Sequence, residues 1–134
     1  MEIYLVRHGT TPWNALRKVQ GGNDIPLDEN GLDMARQTGE AFREMGLTFD
    51  RIYSSPLIRA YRTAETLAGE GAGILTDDRL REMSFGVYEG QNLEALYAVE
   101  RGGFLDLWER PWEYRAPEGG ESLEHLLTRA GDFL

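Results

Sequence analysis

A chain of 134 residues is the length of one domain, and an apolar content of 41% suffices for a buried core, which argues against disorder. With 23 acidic against 14 basic side chains, a net charge of −9, no basic field is present to release counterions from a nucleic acid, so nucleic-acid binding is disfavoured. The absence of cysteine removes disulfides, thiolate chemistry and most structural zinc designs, and two histidines, His8 and His125, make a histidine-rich metal site improbable.

In chain order, Glu2–Val6 reads as a strand buried on both faces, an apolar run of the kind found in parallel sheets. A polar loop follows, and Pro26–Gly31 leads into a helix with Leu32, Ala35, Phe42 and Met45 on one face and Gly46 as its stop. Arg51–Ser54 is a second short strand. Ser55 and Pro56 then predict a helix start, serine as N-cap and proline at the first helical position. Leu57, Ala60, Tyr61, Ala64 and Leu67 keep helical spacing as far as Gly69. Ile74–Leu80 reads as a third strand running into a loop, and Glu89–Arg101 as a weak helix. Between Gly102 and Gly120 the chain packs Phe104, Trp108, Trp112 and Tyr114 among charges and prolines. Ser122–Leu134 is again helical, with Leu123, Leu126, Leu127, Ala130 and Leu134 on one face.

This alternation predicts an α/β fold, a three-layer sandwich in which helices flank a mainly parallel central sheet, formed by one domain over residues 1–134. No signal peptide precedes the first strand and no apolar run approaches membrane-spanning length, so the expected compartment is the cytoplasm, with no membrane partner. An α/β fold normally returns its last helix to another strand, so a chain ending in an amphipathic helix is expected to be C-terminally truncated.

In parallel α/β sheets, ligands bind beyond the carboxyl ends of the strands. Three polar sets fall there. Arg7, His8, Gly9, Thr10, Thr11 and Asn14 follow the first strand, Ser54, Ser55 and Arg59 the second, and Arg81 and Glu82 the third. Because an acidic body repels an anion at long range, an anionic ligand would need such a local group of cations. All the basic side chains but Lys18 are arginine, the planar fork suited to phosphate. A neutral imidazole between arginines is a nucleophile for phosphorus, and the neighbouring cations favour its neutral form. A carboxylic acid such as Glu82 could protonate the departing oxygen, and arginines could neutralise the transferring phosphoryl group without a metal. Singly, each residue also has a plain structural reading: a hydrogen-bonded scaffold histidine, a solvated helix arginine, a surface acid.

As a set, these segments resemble the histidine phosphatase superfamily, the branch that includes cofactor-dependent phosphoglycerate mutases and many small-molecule phosphatases. LVRHGTTPWN (Leu5–Asn14) is similar to the family's nucleophile signature, and VQGGNDIPLDENGLDMA (Val19–Ala35) to the loop and helix after it. FDRIYSSPLIRAYRTAETL (Phe49–Leu67) resembles the second-arginine segment, LREMSFGVYEG (Leu80–Gly90) the proton-donor segment, and PEGGES (Pro117–Ser122) the lead into the helix before the last core strand. The resemblance implies a phosphoglycerate mutase-like fold and the following roles. His8 is the nucleophile that becomes phosphohistidine, Arg7 and Arg59 bind phosphoryl oxygens with Asn14 as a further donor, and Glu82 is the proton donor. Gln20 and Gly21 line the substrate mouth, with Thr10 and Thr11 as pocket neighbours. Neither a metal nor another cofactor is implied.

The family's pocket has a second histidine after the strand that follows the GES helix, and Leu134 comes before that strand. His125 lies within the helix and is read as a solvated or capping residue. Turnover by these 134 residues is therefore expected to be impaired, and a first strand without one neighbour would offer an edge for dimerisation. Glu82 is followed directly by MSFGVYEG, which resembles the phosphatase branch. The expected activity is a metal-independent phosphomonoesterase acting on a small phosphorylated metabolite. Mutase-type phosphoryl transfer and a non-catalytic phospho-ligand-binding module are the alternatives. The stretch Phe104–Tyr114 reads equally as a substrate-selecting lid or as a hydrophobic cap.

Overall fold

The computed structural model describes residues 2–98 and 103–134. Among them, in order, are α1 (Pro12–Ala15), α2 (Glu29–Glu44), β1 (Ile52–Ser54), α3 (Ile58–Ala68), β2 (Ile74–Thr76), α4 (Leu93–Tyr97), α5 (Asp106–Glu109) and α6 (Leu123–Phe133), with 3-10 turns at Asp78–Leu80 and Gly86–Tyr88. The fold is α/β, and the chain forms two compact units. One joins the segment ending at Pro12 to Ile25–Asp78, and the other joins Trp13–Asp24 to Arg79–Leu134.

In the first unit, β1 and β2 pair in parallel with Ile52 opposite Ile74, Tyr53 opposite Leu75 and Ser54 opposite Thr76. The predicted third strand ends at Thr76: the Asp77 N–H makes a last ladder bond to the Ser54 carbonyl at 3.0 Å, and a 3-10 turn follows at Asp78–Leu80. Glu2–Val6 departs from expectation: it joins no ladder among the described residues, and Leu5 is 94% exposed. An apolar run becomes a buried strand only when neighbouring strands take its N–H and C=O groups. Tyr4 instead meets Phe42 and Phe49 edge-on, at ring distances of 6.1 and 5.5 Å.

Helix α2 is capped by Asp28, whose carboxylate accepts from the Gly31 N–H and the Thr10 hydroxyl, each at 2.7 Å. Its buried stripe is Gly31, Ala35 and Gly39, one residue per turn, while Met45 on the predicted apolar face is exposed. Small residues let other backbones come close: a Cβ on Gly39 would lie 2.6 Å from the Leu67 carbonyl oxygen of α3. The predicted Ser55–Pro56 start of α3 is two residues early. Leu57 stays extended (φ −60°, ψ 131°), so the Ser55 hydroxyl reaches only the Leu57 N–H, at 3.3 Å. The helix ends at Gly69, whose φ of 91° is the left-handed conformation glycine tolerates.

The second unit is built on a core of Val19, Met83, Phe85, Leu96, Phe104 and Tyr114, against which Leu123 and Leu126 of α6 pack. Ser122 caps α6 by accepting from the His125 N–H at 3.2 Å. The predicted weak helix condenses to α4, capped by the Asn92 side chain; residues 99–101 of the prediction lie outside the described residues. In the aromatic stretch, Phe104 and Tyr114 are core while Trp108 and Trp112 are exposed. Buried Asp106 holds Arg110 at 2.5 Å within it. No helix among the described residues is long and apolar enough to cross a membrane.

Glu121, half-buried before α6, takes both arms of Arg129: Nε at 2.5 Å on one carboxylate oxygen and Nη2 at 2.7 Å on the other. His125 Nδ1 lies 2.6 Å from the first of these oxygens. The Arg129 hydrogen bonds hold the Glu121 carboxyl below the usual carboxylate range, against the opposing effect of burial. A carboxylate with a lowered folded pKa stabilises the fold fully above its unfolded value, about 4.3, and that stability is lost as the pH falls through the folded value. Glu121→Gln should therefore cost about 1.5–3 kcal/mol near neutral pH. The gap between the two thermal unfolding curves should close as the solution is taken below about pH 4. A gap that stays constant from neutral to acid pH would contradict this ionic account.

Candidate active site

In the first unit, His8 follows the exposed Arg7 and is held from both ring nitrogens. Its Nδ1 lies 2.7 Å from the Gly9 carbonyl oxygen, and Arg59 Nε lies 3.3 Å from its Nε2. A carbonyl only accepts and a guanidinium only donates. This pair of partners assigns the proton to Nδ1 and leaves the Nε2 lone pair as acceptor. The imidazole is thus neutral, with its nucleophilic nitrogen turned to a cation.

Arg59 is 1% exposed, a rare burial for a charged side chain. It reaches this position from the first turn of α3, and its backbone carbonyl accepts from the Thr63 hydroxyl at 2.7 Å, one turn on. The same Thr63 oxygen accepts from the Gly9 N–H at 3.1 Å. One hydroxyl therefore fastens the peptide after His8 to the helix that carries Arg59. The buried stripe of α3 is Arg59, Thr63 and Leu67, so two of its three members are polar. Thr63 was not among the expected site residues; its only sequence signal is its place four residues after Arg59, on the same helix face. Thr11, Ser54 and Ser55 are buried as well, and the Thr10 hydroxyl serves the cap of α2.

The remaining predicted residues belong to the second unit. Asn14 sits half-buried in α1, and its backbone carbonyl accepts from the Arg17 N–H at 3.0 Å. Gln20 and Gly21 are buried in a tight turn, Gly21 with a φ of 53°. That turn is gripped by Glu89. Its Oε1 accepts from the Gly22 N–H at 2.8 Å and the Phe85 N–H at 2.9 Å, and its Oε2 from the Asn23 side chain at 2.6 Å. A Cβ on Gly21 would meet Glu89 Oε1 at 2.1 Å, so glycine is required there twice, by conformation and by space. Glu89 was not among the expected residues; the pattern YEG gave no sign that its acid would tie two loops together.

Glu82 is exposed and turns its Oε1 back to the Met83 N–H at 2.8 Å, while Met83 itself is buried in the core. Arg81 is exposed. His125 stands on the exposed side of the Glu121–Arg129 pair. Among the described residues, no group of three or more histidines and carboxylates is arranged to hold a metal ion.

Comparison with known proteins adds relatives. A family model described as Histidine phosphatase superfamily (branch 1) matches residues 3–134. A probable phosphoglycerate mutase, GpmB, of Salmonella paratyphi B is 43% identical over 130 residues, covering 96% of this chain and 59% of the relative. The chain thus spans less than two thirds of the curated relatives it matches. Among solved structures, YhfR of Bacillus stearothermophilus superposes with a TM-score of 0.83 at 34% identity, covering 95% of this chain and 62% of the other. A phosphoserine phosphatase of Entamoeba histolytica, solved in complex with 3-phosphoglyceric acid, gives a TM-score of 0.72 at 32% identity, covering 87% and 56%.

Proposed function

The chain belongs to the histidine phosphatase superfamily, branch 1, and from that premise we propose that it acts as a phosphomonoesterase on a small phosphorylated metabolite through a phosphohistidine on His8. The observation that carries this reading is the state of His8: Nδ1 spent on the Gly9 carbonyl, and an unprotonated Nε2 that accepts from the buried Arg59 guanidinium.

His8 Nε2 attacks phosphorus, a P–N bond forms, and the P–O bond to the leaving group breaks. Glu82, as the carboxylic acid, gives its proton to the departing oxygen. Water then attacks the phosphohistidine while the Glu82 carboxylate takes its proton, releasing phosphate and restoring both groups. Arg7 and Arg59 hold the phosphoryl oxygens with Asn14 as a further donor. Arg59, already desolvated, spends little reorganisation in stabilising the charge that develops there. Gln20 and Gly21 contact the rest of the substrate.

The test is hydrolysis of p-nitrophenyl phosphate without added metal. Turnover should persist in EDTA, and a rapid quench should trap a phosphoryl group on His8 that is labile in acid and stable in alkali. Loss of activity in EDTA would overturn the mechanism. The likeness to GpmB supports one second reading, mutase-type transfer between hydroxyls of a phosphoglycerate. Interconversion of phosphoglycerate isomers without release of phosphate would select it.

A further inference from the structure

Arg129 is committed on both sides. One side is the two-pronged grip on Glu121. On the other, its Nη1 donates to the carbonyl oxygens of Arg79 at 2.7 Å and Arg81 at 2.9 Å. The second of these belongs to the peptide bond that leads directly into Glu82. Immediately after Glu82, Met83 is only 2% exposed and anchored in the core of the same unit. The exposed Glu82 is thus held at its backbone from both flanks, by Arg129 on the residue before and by the core on the residue after. The Glu82 carboxylate is also within Coulombic reach of the guanidinium.

Proton donation demands such care. A general acid works only within hydrogen-bond reach of the leaving oxygen, and a displacement of about 1 Å can cost about 100-fold in rate. A segment with no regular structure and an exposed side chain would not keep that accuracy without a support. An arginine is suited to the task because its planar fork satisfies a carboxylate with one edge and leaves other N–H groups for carbonyls. Without Glu121, the half-buried cation would lose its hydrogen-bonded counter-ion.

We propose that Arg129, oriented by Glu121, is the positioning residue for Glu82, fixing the backbone that presents the proton donor. This rests on the phosphatase reading above. A donor matters in proportion to the basicity of the oxygen it protonates, so misplacing it should injure esters of alkyl alcohols and spare those of acidic phenols.

The experiment uses the whole chain with a series of phosphate monoesters from alkyl phosphates to p-nitrophenyl phosphate. Glu82→Gln should lower kcat/KM, which reports the leaving-group step and not the common hydrolysis of phosphohistidine, by about 100-fold or more for alkyl esters and far less for the nitrophenyl ester. Arg129→Gln should show the same slope against leaving-group basicity, with a loss of about 10- to 100-fold on alkyl esters and little change in KM. Arg129→Lys should recover part of it, and Glu82→Gln/Arg129→Gln should be no slower than Glu82→Gln alone. Should Arg129→Gln not fold, Glu121→Gln takes its place, with a smaller loss on the same slope. Equal losses on every ester, or losses that multiply in the double variant, would overturn the proposal while leaving the phosphatase reading intact. A flat slope for Glu82→Gln would instead remove Glu82 as donor, and the proposal with it. Independently of turnover, the Met83 amide should exchange its hydrogen at least about 10-fold faster in Arg129→Gln while the core amide of Leu96 holds. An unchanged Met83 rate would also overturn it.

Discussion

His8→Ala should lower hydrolysis of p-nitrophenyl phosphate by about 10⁴-fold or more, because removal of a nucleophile leaves only the catalysis supplied by binding and charge. Nδ1 donates to the Gly9 carbonyl at 2.7 Å, so the proton is fixed on the side away from Arg59, and Nε2, which accepts from Arg59, is the unprotonated nitrogen that would bond phosphorus. The second histidine, His125, stands exposed in the second unit beside Glu121 and is not paired with Arg59. Alanine keeps the backbone at position 8 and the Gly9–Thr63 bond, so the variant should melt within a few degrees of the parent. Substantial turnover by a folded His8→Ala protein would sink the phosphohistidine mechanism.

Gly31→Ala should destabilise the first unit by about 3 kcal/mol or more, at the upper end for overpacking. A Cβ on Gly31 would stand 2.2 Å from the Thr10 carbonyl oxygen and 2.7 Å from its nitrogen. Both obstacles are backbone, which has no rotamer to yield. The crossing is mutual, since a Cβ on Gly9 would meet the Gly31 carbonyl oxygen at 2.4 Å. Two glycine backbones are pressed together here, one following His8 and one in the first turn of α2. The same crossing carries the Asp28 cap and its bond from Thr10, so displacement would also loosen α2. Because the Gly9 carbonyl fixes the His8 tautomer, lost turnover should accompany lost stability. Gly73→Ala is the control: a Cβ there has nothing within 4 Å, and its φ is not positive. Calorimetry of the two variants decides the matter, and an unchanged melting temperature for Gly31→Ala would refute the packing argument.

How much of this was legible in the amino-acid order depends on the kind of interaction. The helices announced themselves through spacing and their glycine stops, Gly69 at the end of α3 among them, while the one N-cap expected, Ser55, lies two residues before the true start. The stripe of α2 was misread because glycine carries no hydrophobic signal, although Gly31 and Gly39 are what let it pack closely. Glu2–Val6 was misread for the opposite reason: hydrophobicity states what a segment could bury, while strand character depends on partners elsewhere in the chain. At the site, His8 and Arg59 were visible as types, and in the structure the two side chains meet at 3.3 Å. Thr63, Glu89 and Arg129 were invisible as functional candidates, because each acts by fastening backbone to backbone. Such a role leaves no trace in residue type.

The second unit draws Trp13–Asp24 from early in the chain and Arg79–Leu134 from late in it. Val19, a member of its core, receives the Gly90 N–H at 2.8 Å and donates to Gln91 at 3.0 Å. On a ribosome, where residues emerge at about 5–20 per second, Val19 is outside the tunnel seconds before Phe104 and Tyr114 exist to cover it. The contiguous block Ile25–Asp78 and its N-terminal partner are complete by then. Synthesis therefore imposes a waiting period on this one early segment, during which its apolar face is open to chaperones and proteases alike.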